Sequence, residues 1–282
     1  MRHLDLERCD KIESMPPQIG RLTFLQTLPV FVVGRERERG IAELKELTDL
    51  RGKLAIKKLE NVTEAVDAEQ ANLTNKPFID HLSLKWSSSR DWSTQDERLE
   101  KELVEGLQPH PSLKILDLDG YMGTHFPSWM MKMNDLYLRN CRRCEGLNEL
   151  PSLSSLTLGG VVSERLLNSV SCLTSLSHLT IHNMSSLTSM PRGMLQALTQ
   201  LEALTICGCG QLVTLEDEVL PSTLKRLEFS LCGNLKSLPR KGLPSSLERL
   251  QIFQCPVLRE RCLKDVGEDW PKISHIPHVD FY

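Results

Sequence analysis

Three stretches in the second half of the chain decide the fold: LEALTICGC at 201–209, LKRLEFSLC at 224–232 and LERLQIFQC at 247–255. Each begins 23 residues after the one before, and each has the form L-x-x-L-x-hydrophobic-x-x-C. Alternate residues of a strand point to opposite sides, so the two apolar residues of L-x-L face one side of a short strand. One such strand cannot bury that side alone, whereas stacked copies form a parallel sheet over a continuous core. The period therefore predicts a solenoid.

Weaker copies of the pattern run through the rest of the chain, in which 49 of 282 residues are leucine. The spacing between copies is 20 to 34 residues, within and somewhat beyond the range of leucine-rich repeats. We predict an α/β fold, a leucine-rich-repeat solenoid shaped as a curved horseshoe, with a concave parallel β-sheet of about eleven short strands and an irregular, partly helical outer arc. The first apolar residue assigned to the pattern in each copy is Leu4, Leu25, Leu54, Ile79, Leu113, Met133, Leu153, Leu176, Leu201, Leu224 and Leu247, where Leu4 and Leu54 hold the fourth position and the others the first.

The predicted domain organisation is one solenoid over 1–282 that lacks its N-terminal cap, because Met1 falls inside a repeat. Irregular, helix-containing repeats span 34–112, regular repeats 113–258 and a C-terminal cap 259–282, and the register around 160–173 is left open. Apolar spacing and composition predict helices over 41–50, 64–76 and 97–107. The polar insertions at 35–39 and 87–96 are expected to be solvated loops. Docking of a partner is the alternative for these insertions, and Trp92 favours it.

Composition excludes several classes of protein. A formal net charge of −3 gives no global reason to expect nucleic acid as a partner, and no apolar run is long enough for a membrane span. Nine cysteines without a signal peptide favour a reducing compartment. Cysteine fills the ninth repeat position in five copies, where a buried S–H group would meet backbone carbonyls. Cys141 and Cys144 have a zinc-like spacing, but no second Cys or His pair stands at finger-like spacing, so no metal site is predicted.

The pattern favours a binding module over an enzyme. The chain contains no nucleophile elbow, no H-E-x-x-H and no phosphate loop, so we expect neither catalytic nor cofactor-binding residues. On a repeat fold, function depends on the exposed residues between the leucines, and aromatic and arginine side chains usually dominate interface energy. The candidate protein-binding residues of the concave face are Trp86, Tyr137, Arg139, His178, His182, Arg226, Glu228, Arg249, Gln251 and Phe253.

Further stretches carry a resemblance to a known family. They are LPVFVVG at 28–34, LRGKLAI at 50–56, LENV at 59–62, AEQANL at 68–73, LSLKW at 82–86, GLQPHP at 106–111, FPSW at 126–129 and EDWPKISHIP at 268–277. The sequence resembles, over essentially its whole length, the leucine-rich-repeat region of plant intracellular nucleotide-binding, leucine-rich-repeat disease resistance proteins of the coiled-coil class.

The resemblance implies a role in plant defence. It implies recognition of a pathogen effector, directly or through a guarded host protein, and restraint of a nucleotide-binding switch in the same or a related receptor. It also implies a cytoplasmic location, with the nucleus as a second possibility. The coiled-coil domain and the ATP/ADP-binding module that the family places before the repeats are absent from this sequence. The alternative function is a substrate-recruiting leucine-rich-repeat subunit of a ubiquitin ligase, although the F-box segment of such subunits is also absent.

Overall fold

The computed structural model describes residues 1–4, 6, 11–87, 97–215 and 218–282. In these ranges eleven strands follow one another in chain order. They are β1 Val30–Val32, β2 Arg51–Lys57, β3 Phe78–Lys85, β4 Ile115–Asp119, β5 Asp135–Arg139, β6 Ser155–Gly159, β7 His178–His182, β8 Ala203–Cys207, β9 Arg226–Ser230, β10 Arg249–Phe253 and β11 His278–Phe281. The chain divides into two compact units, Met1–Cys144 with β1 to β5 and Glu145–Tyr282 with β6 to β11.

The leucines of successive repeats are register partners within each unit. In the first unit Leu82 lies opposite Leu116, and in the second Leu204 lies opposite Leu227. Each of these side chains is at most 1% exposed. Burying a leucine completely stabilises a fold by about 1.5–3 kcal/mol, so the stacked leucines form the core of each unit. Parallel pairing in this register confirms the predicted leucine-rich-repeat solenoid.

Short helices connect many of the strands. The α-helices are α1 Ala65–Gln70, α2 Glu97–Gly106, α3 Glu164–Ser169, α4 Met194–Ala197, α5 Pro256–Arg261 and α6 Trp270–Ile273. The 3₁₀ helices are Ile19–Arg21, Arg37–Arg39, Ile41–Leu44, Leu59–Asn61, Leu73–Asn75, Ser128–Lys132 and Val170–Cys172. Among the described residues, no helix is long and apolar enough to cross a membrane.

The prediction of outer helices is confirmed for α2 and only in part for the other two. The predicted helix over 41–50 is only a 3₁₀ helix at Ile41–Leu44, because the backbone must leave the helical conformation before the extended strand β2 begins at Arg51. The predicted helix over 64–76 stops at Gln70, because Asn72 has a φ of 50°, a left-handed conformation that a helix cannot contain. In the insertion at 35–39, residues 35–38 are exposed, as expected of a solvated loop. Trp92 lies outside the described residues.

The two ends of the sheet differ from the prediction. In its described residues, the first repeat copy, which contains Leu4 and Leu6, contributes an isolated bridge between His3 and Thr27, and its residues 5 and 7–10 lie outside the described part. The strand β11, which no leucine pattern marks, brings the number to eleven. The repeat pattern places Val30 opposite Ile56, but in the structure Phe31 lies there, so the expected register of β1 is wrong by one residue. The repeat register around 160–173 was left open by the sequence. The pattern would place Val161 in the core as the ninth residue of the copy at Leu153, but its side chain is 37% exposed.

A left-handed residue follows most of the strands and bends the chain away from the sheet. The position is held by asparagine or glycine at Asn140, Gly160, Asn183 and Gly208, which tolerate a positive φ. Lys58, Leu231 and Gln254 hold it after β2, β9 and β10, with φ values of 60°, 55° and 50°. The cysteine that comes next in the repeat lies under this bend.

The repeat cysteines are buried and hydrogen-bonded to the backbone, as predicted. The Cys232 thiol donates to the carbonyl of Ser230 at 3.3 Å, and the Cys255 thiol donates to that of Phe253 at 3.4 Å. Cys141 makes the equivalent contact with Arg139 at 3.4 Å. Burial raises the pKa of the Cys209 thiol to about 11, so it stays a neutral donor. Cys9 lies outside the described residues.

Candidate binding surface

The side of the sheet opposite the leucines, called here the open face, carries nearly all of the predicted binding residues. Alternation along each strand sends residues of one parity into the core and the others to this face. Nine of the ten candidates lie there, fully or partly accessible. They are Tyr137 and Arg139 on β5, His178 and His182 on β7, Arg226 and Glu228 on β9, and Arg249, Gln251 and Phe253 on β10.

Trp86 is the exception, and its prediction as an exposed residue is wrong. It is 6% exposed, and its ring packs against that of Tyr121 with the centroids 5.8 Å apart. Trp86 has the same parity as Leu82 and Leu84, so alternation itself directs the side chain into the core. Its backbone N–H donates to the Asp119 carbonyl at 2.9 Å, which extends the pairing beyond the end of β3. Trp86 is therefore a core residue of the first unit.

On the first unit, the open face contains a buried carboxylate. Asp117 is 5% exposed, and its Oδ2 accepts a hydrogen bond from Ser83 Oγ at 2.7 Å. The guanidinium of Arg139 forms an ion pair with the same oxygen and lies 3.9 Å, through Nε, from Oδ2 of Asp119. Asn140 donates to the other oxygen of Asp119 at 2.8 Å. These contacts fix the orientation of Arg139 at the surface.

Tyr137 is held in place by a stacking contact beside this carboxylate. Its ring lies 6.4 Å from that of His81 at an interplanar angle of 25°. Burial lowers the pKa of His81, and the positive charge of Lys53 lowers it further, so the imidazole is neutral at pH 7. Burial also lowers the pKa of Lys85, although the charge of Asp117 opposes that change. Tyr137 and Arg139 thus stand preorganised on the open face, which reduces the entropy that binding would cost.

On the second unit, Arg226 contacts a histidine two strands away. Its Nη2 lies 3.3 Å from Nε2 of His178, across the small side chain of Ala203 on the strand between them. Arginine has no acceptor, so the guanidinium is the donor in this contact. Nδ1 lies 2.8 Å from Ser177 Oγ, which donates to the Ser154 carbonyl at 2.9 Å.

The other candidates on the second unit make contacts that do not involve Arg226 or His178. Arg249 donates to Asp280 on β11 at 3.2 Å, an exposed pair of the kind that contributes little to stability. The His182 ring covers Gly159, where an added Cβ would lie 2.4 Å from its Nε2 atom. Glu228 and Gln251 are half-buried register partners. The polar middle of this face is therefore accessible but not arranged as a pocket.

An apolar group at the carboxyl end of β9 and β10 was missed in part by the sequence reasoning. Phe253 is 40% exposed, as predicted, and Leu231 is 48% exposed. The backbone N–H of Leu231 donates to the Phe253 carbonyl at 2.9 Å, so the two residues belong to adjacent repeats at the same height. The available signal was that Leu231 is apolar at a position where other repeats have asparagine, glycine, lysine or glutamine.

The described residues contain no group of three or more His, Cys, Asp or Glu side chains that could hold a metal ion. Cys141 and Cys144 have the zinc-like spacing noted above, and the thiol of Cys144 donates to the Gly123 carbonyl at 3.2 Å. The chemistry available on the open face is that of contact: ion pairing, hydrogen bonding and apolar packing.

Comparisons with known proteins agree with this description. Residues 41–161 match the family model described as R13L1/DRL21 leucine-rich repeats. Disease resistance protein RGA2 of Solanum bulbocastanum is 36% identical over 147 residues, which are 49% of this chain and 15% of the relative. RGA4 of the same species is 38% identical over 164 residues, 55% of this chain and 16% of the relative. The chain thus spans about a sixth of the length of these relatives.

A solved structure shares the fold at low sequence identity. The crystal structure of a TLR13–ssRNA13 complex superposes with a TM-score of 0.51 at 16% identity, covering 93% of this chain and 37% of the other. At that identity the similarity concerns the leucine-rich-repeat fold alone.

Proposed function

Taking the chain as a leucine-rich-repeat protein related to plant disease resistance proteins, we propose that it is the protein-recognition module of a plant immune receptor. Its partner is a pathogen effector or a host protein that the effector alters. Recognition restrains or releases a nucleotide-binding switch carried by the same receptor or a related one. The module acts in the cytoplasm or nucleus and catalyses no reaction itself.

One observation supports this proposal above the others. Along β7 to β10 the inward leucine, isoleucine and phenylalanine residues are buried, while the alternating positions of the open face carry a mixture of charged, aromatic, polar and small side chains. Function on a repeat fold depends on this surface, since the conforming residues are needed for packing. Exposed arginine and aromatic residues at Arg226, Arg249 and Phe253 are the types that most often dominate protein interfaces.

The test uses the natural protein that carries this sequence, expressed in leaves together with its effector. Replacing Tyr137, Arg226, Arg249 and Phe253 by alanine is expected to abolish or redirect effector-triggered cell death while protein abundance stays unchanged. Truncation of such anchors typically costs about 2 kcal/mol or more of binding free energy.

The matched control changes exposed residues of the loops between the strands. Gln211→Ala, Lys236→Ala and Lys241→Ala alter exposed side chains that lie off the open face. They should leave the response intact. If these loop changes abolished cell death and the open-face changes did not, recognition would use a different surface and the proposal would be wrong.

A further inference from the structure

We propose that strands β9 and β10 bind a partner protein segment in which an acidic side chain and an apolar side chain stand about four residues apart. The inference rests on the proposed function and names the chemistry of the partner. Two independent features of the second unit carry it: a pair of like charges at one end of the two strands and a strained, exposed leucine at the other.

The charged feature is the direct opposition of two arginines. Arg226 and Arg249 are register partners on adjacent strands, which lie about 4.8 Å apart, and both are exposed. Like charges directly opposite each other destabilise a sheet. Among the described contacts of the two guanidiniums, one carboxylate is present, that of Asp280 on Arg249, while Arg226 contacts the imidazole of His178.

A carboxylate supplied by a partner would relieve this repulsion. Guanidinium groups bind carboxylates through paired N–H donors, and such charge-assisted hydrogen bonds are roughly twice as strong as neutral ones. Arg226 can turn to an incoming acid by giving up only a long contact of 3.3 Å with His178. An acidic side chain is therefore the group that fits this end of the strands.

The apolar feature is Leu231. A left-handed conformation is strained for a residue with a Cβ atom, and Leu231 adopts it with a φ of 55°. The equivalent place in other repeats is held by glycine or by a polar residue, at Asn140, Asn183, Gly208 and Gln254. Its side chain is 48% exposed and therefore gains little from packing. Strain of this kind persists mainly where function requires the residue.

The two features lie at a distance that sets the spacing of the partner segment. Leu231 is adjacent to Phe253 through the backbone, and Phe253 lies four residues along β10 from Arg249. Four residues of extended chain span about 13 Å. An extended segment lying along β9 and β10 would therefore place its acidic residue over the arginines and its apolar residue against Leu231 and Phe253.

The test pans a random 12-residue peptide library, displayed on phage, against the purified 282-residue chain. The expected result is enrichment of peptides that contain Asp or Glu three to five residues from a Leu, Ile, Phe or Trp. Affinity of the selected peptides should fall about tenfold or more in the Arg226→Gln/Arg249→Gln variant, and it should also fall when NaCl is raised to 0.5 M. Lys236→Gln/Lys241→Gln is the control and should bind as the parent chain does.

A second variant separates binding from folding. Leu231→Asn relieves the backbone strain, so its melting temperature should rise by about 2–4 °C. Its affinity for the selected peptides should nevertheless fall about tenfold, because the apolar contact is lost. A purely structural role for Leu231 would not move stability and affinity in opposite directions.

Three results would overturn the inference: no enriched peptides, enriched peptides without acidic residues, or equal binding to the Arg226→Gln/Arg249→Gln variant. Each leaves the proposed function intact if open-face substitutions still alter cell death. The opposite outcome is also distinguishable. If acidic peptides bind as expected but no open-face substitution changes the cell-death response, the docking site is supported and the proposed function is wrong.

Discussion

Trp86 and Tyr137 are large aromatic residues of the first unit whose side chains lie on opposite faces of the sheet. Trp86 packs in the core against Tyr121, which is fully buried and donates through its hydroxyl to the His125 carbonyl at 2.7 Å. Tyr137 stacks on His81 at the open face. Loss of the first ring would leave a cavity, whereas loss of the second would leave mainly an altered surface.

Alanine substitutions should therefore separate stability from recognition. Trp86→Ala is expected to lower the free energy of unfolding by about 3–5 kcal/mol, the range found for large aromatic residues in cores. Tyr137→Ala should cost about 1 kcal/mol or less, because the side chain is only half-buried. Urea unfolding of the two variants measures the difference. Equal losses of stability would show that Trp86 is not a core residue.

At the scale of elements, the helices α5 and α6 are joined to the preceding repeat by a buried carboxylate. Asp269 is 1% exposed, contacts Lys272 Nζ at 2.8 Å and Arg261 Nε at 3.1 Å, and accepts from the backbone N–H of Leu238 at 3.3 Å. Burial by itself would raise the pKa of Asp269, but the hydrogen bonds from Lys272, Arg261 and the Leu238 amide outweigh it and hold the pKa below its ordinary value. The anion therefore stabilises the folded chain.

The stability that Asp269 contributes should disappear in acid. Because the pKa is lower in the folded than in the unfolded chain, the contribution is complete above the ordinary value of 3.8 and is lost as the pH falls through the folded value. Asp269→Asn should cost about 1–3 kcal/mol at pH 6 and clearly less at pH 3. Thermal unfolding of both proteins across this range gives the comparison. A difference that grows toward low pH would contradict the assignment.

Some elements were predictable from the sequence, and others were not, for physical reasons. The strands β4 to β10 follow from the leucine pattern, because each must bury one side. β11 escaped detection since Val279 and Phe281 are only half-buried and no leucine accompanies them. The helix α3 also escaped, although Ser163 caps it by accepting from the Leu166 N–H at 3.0 Å. Its six residues are too few to show a helical period.

The candidate site was predictable in outline for a related reason. Parity along a strand is enough to place Arg226 and Arg249 on the open face. The contacts that the open-face side chains make cannot be predicted from parity, because they depend on which residues of neighbouring repeats lie opposite one another. The pairing of Asp117 with Arg139 and Ser83, for example, requires the lengths of the intervening loops to be fixed in three dimensions.

At the scale of the whole molecule, each of the two units is a series of repeats in which neighbouring strands pair. In the second unit Leu179, Leu204, Leu227 and Leu250 form one continuous row of register partners. Stability in such an array is approximately a sum of repeat and nearest-neighbour contributions. Coupling between two core substitutions should therefore decrease with the number of strands between them.

Double-mutant cycles test this decrease. Leu204→Ala and Leu227→Ala, on adjacent strands, should each cost roughly 2–5 kcal/mol and should interact by about 0.5 kcal/mol or more. Leu179→Ala and Leu250→Ala, three strands apart, should be additive to within about 0.5 kcal/mol. The free energies come from denaturant unfolding of single and double variants. Coupling that is as strong across three strands as across one would contradict the nearest-neighbour description.

The buried thiols have a consequence for how motion in the protein could be followed. Cys209 is fully buried, and burial raises the pKa of Cys262 to about 12, whereas Cys172 is exposed. Only an accessible thiolate reacts with an alkylating reagent. Cys172 should be modified in the native protein without delay, whereas Cys209 and Cys262 should react only during a local opening. The alkylation rate at each buried position would then measure how often its own repeat opens, with no label introduced into the chain.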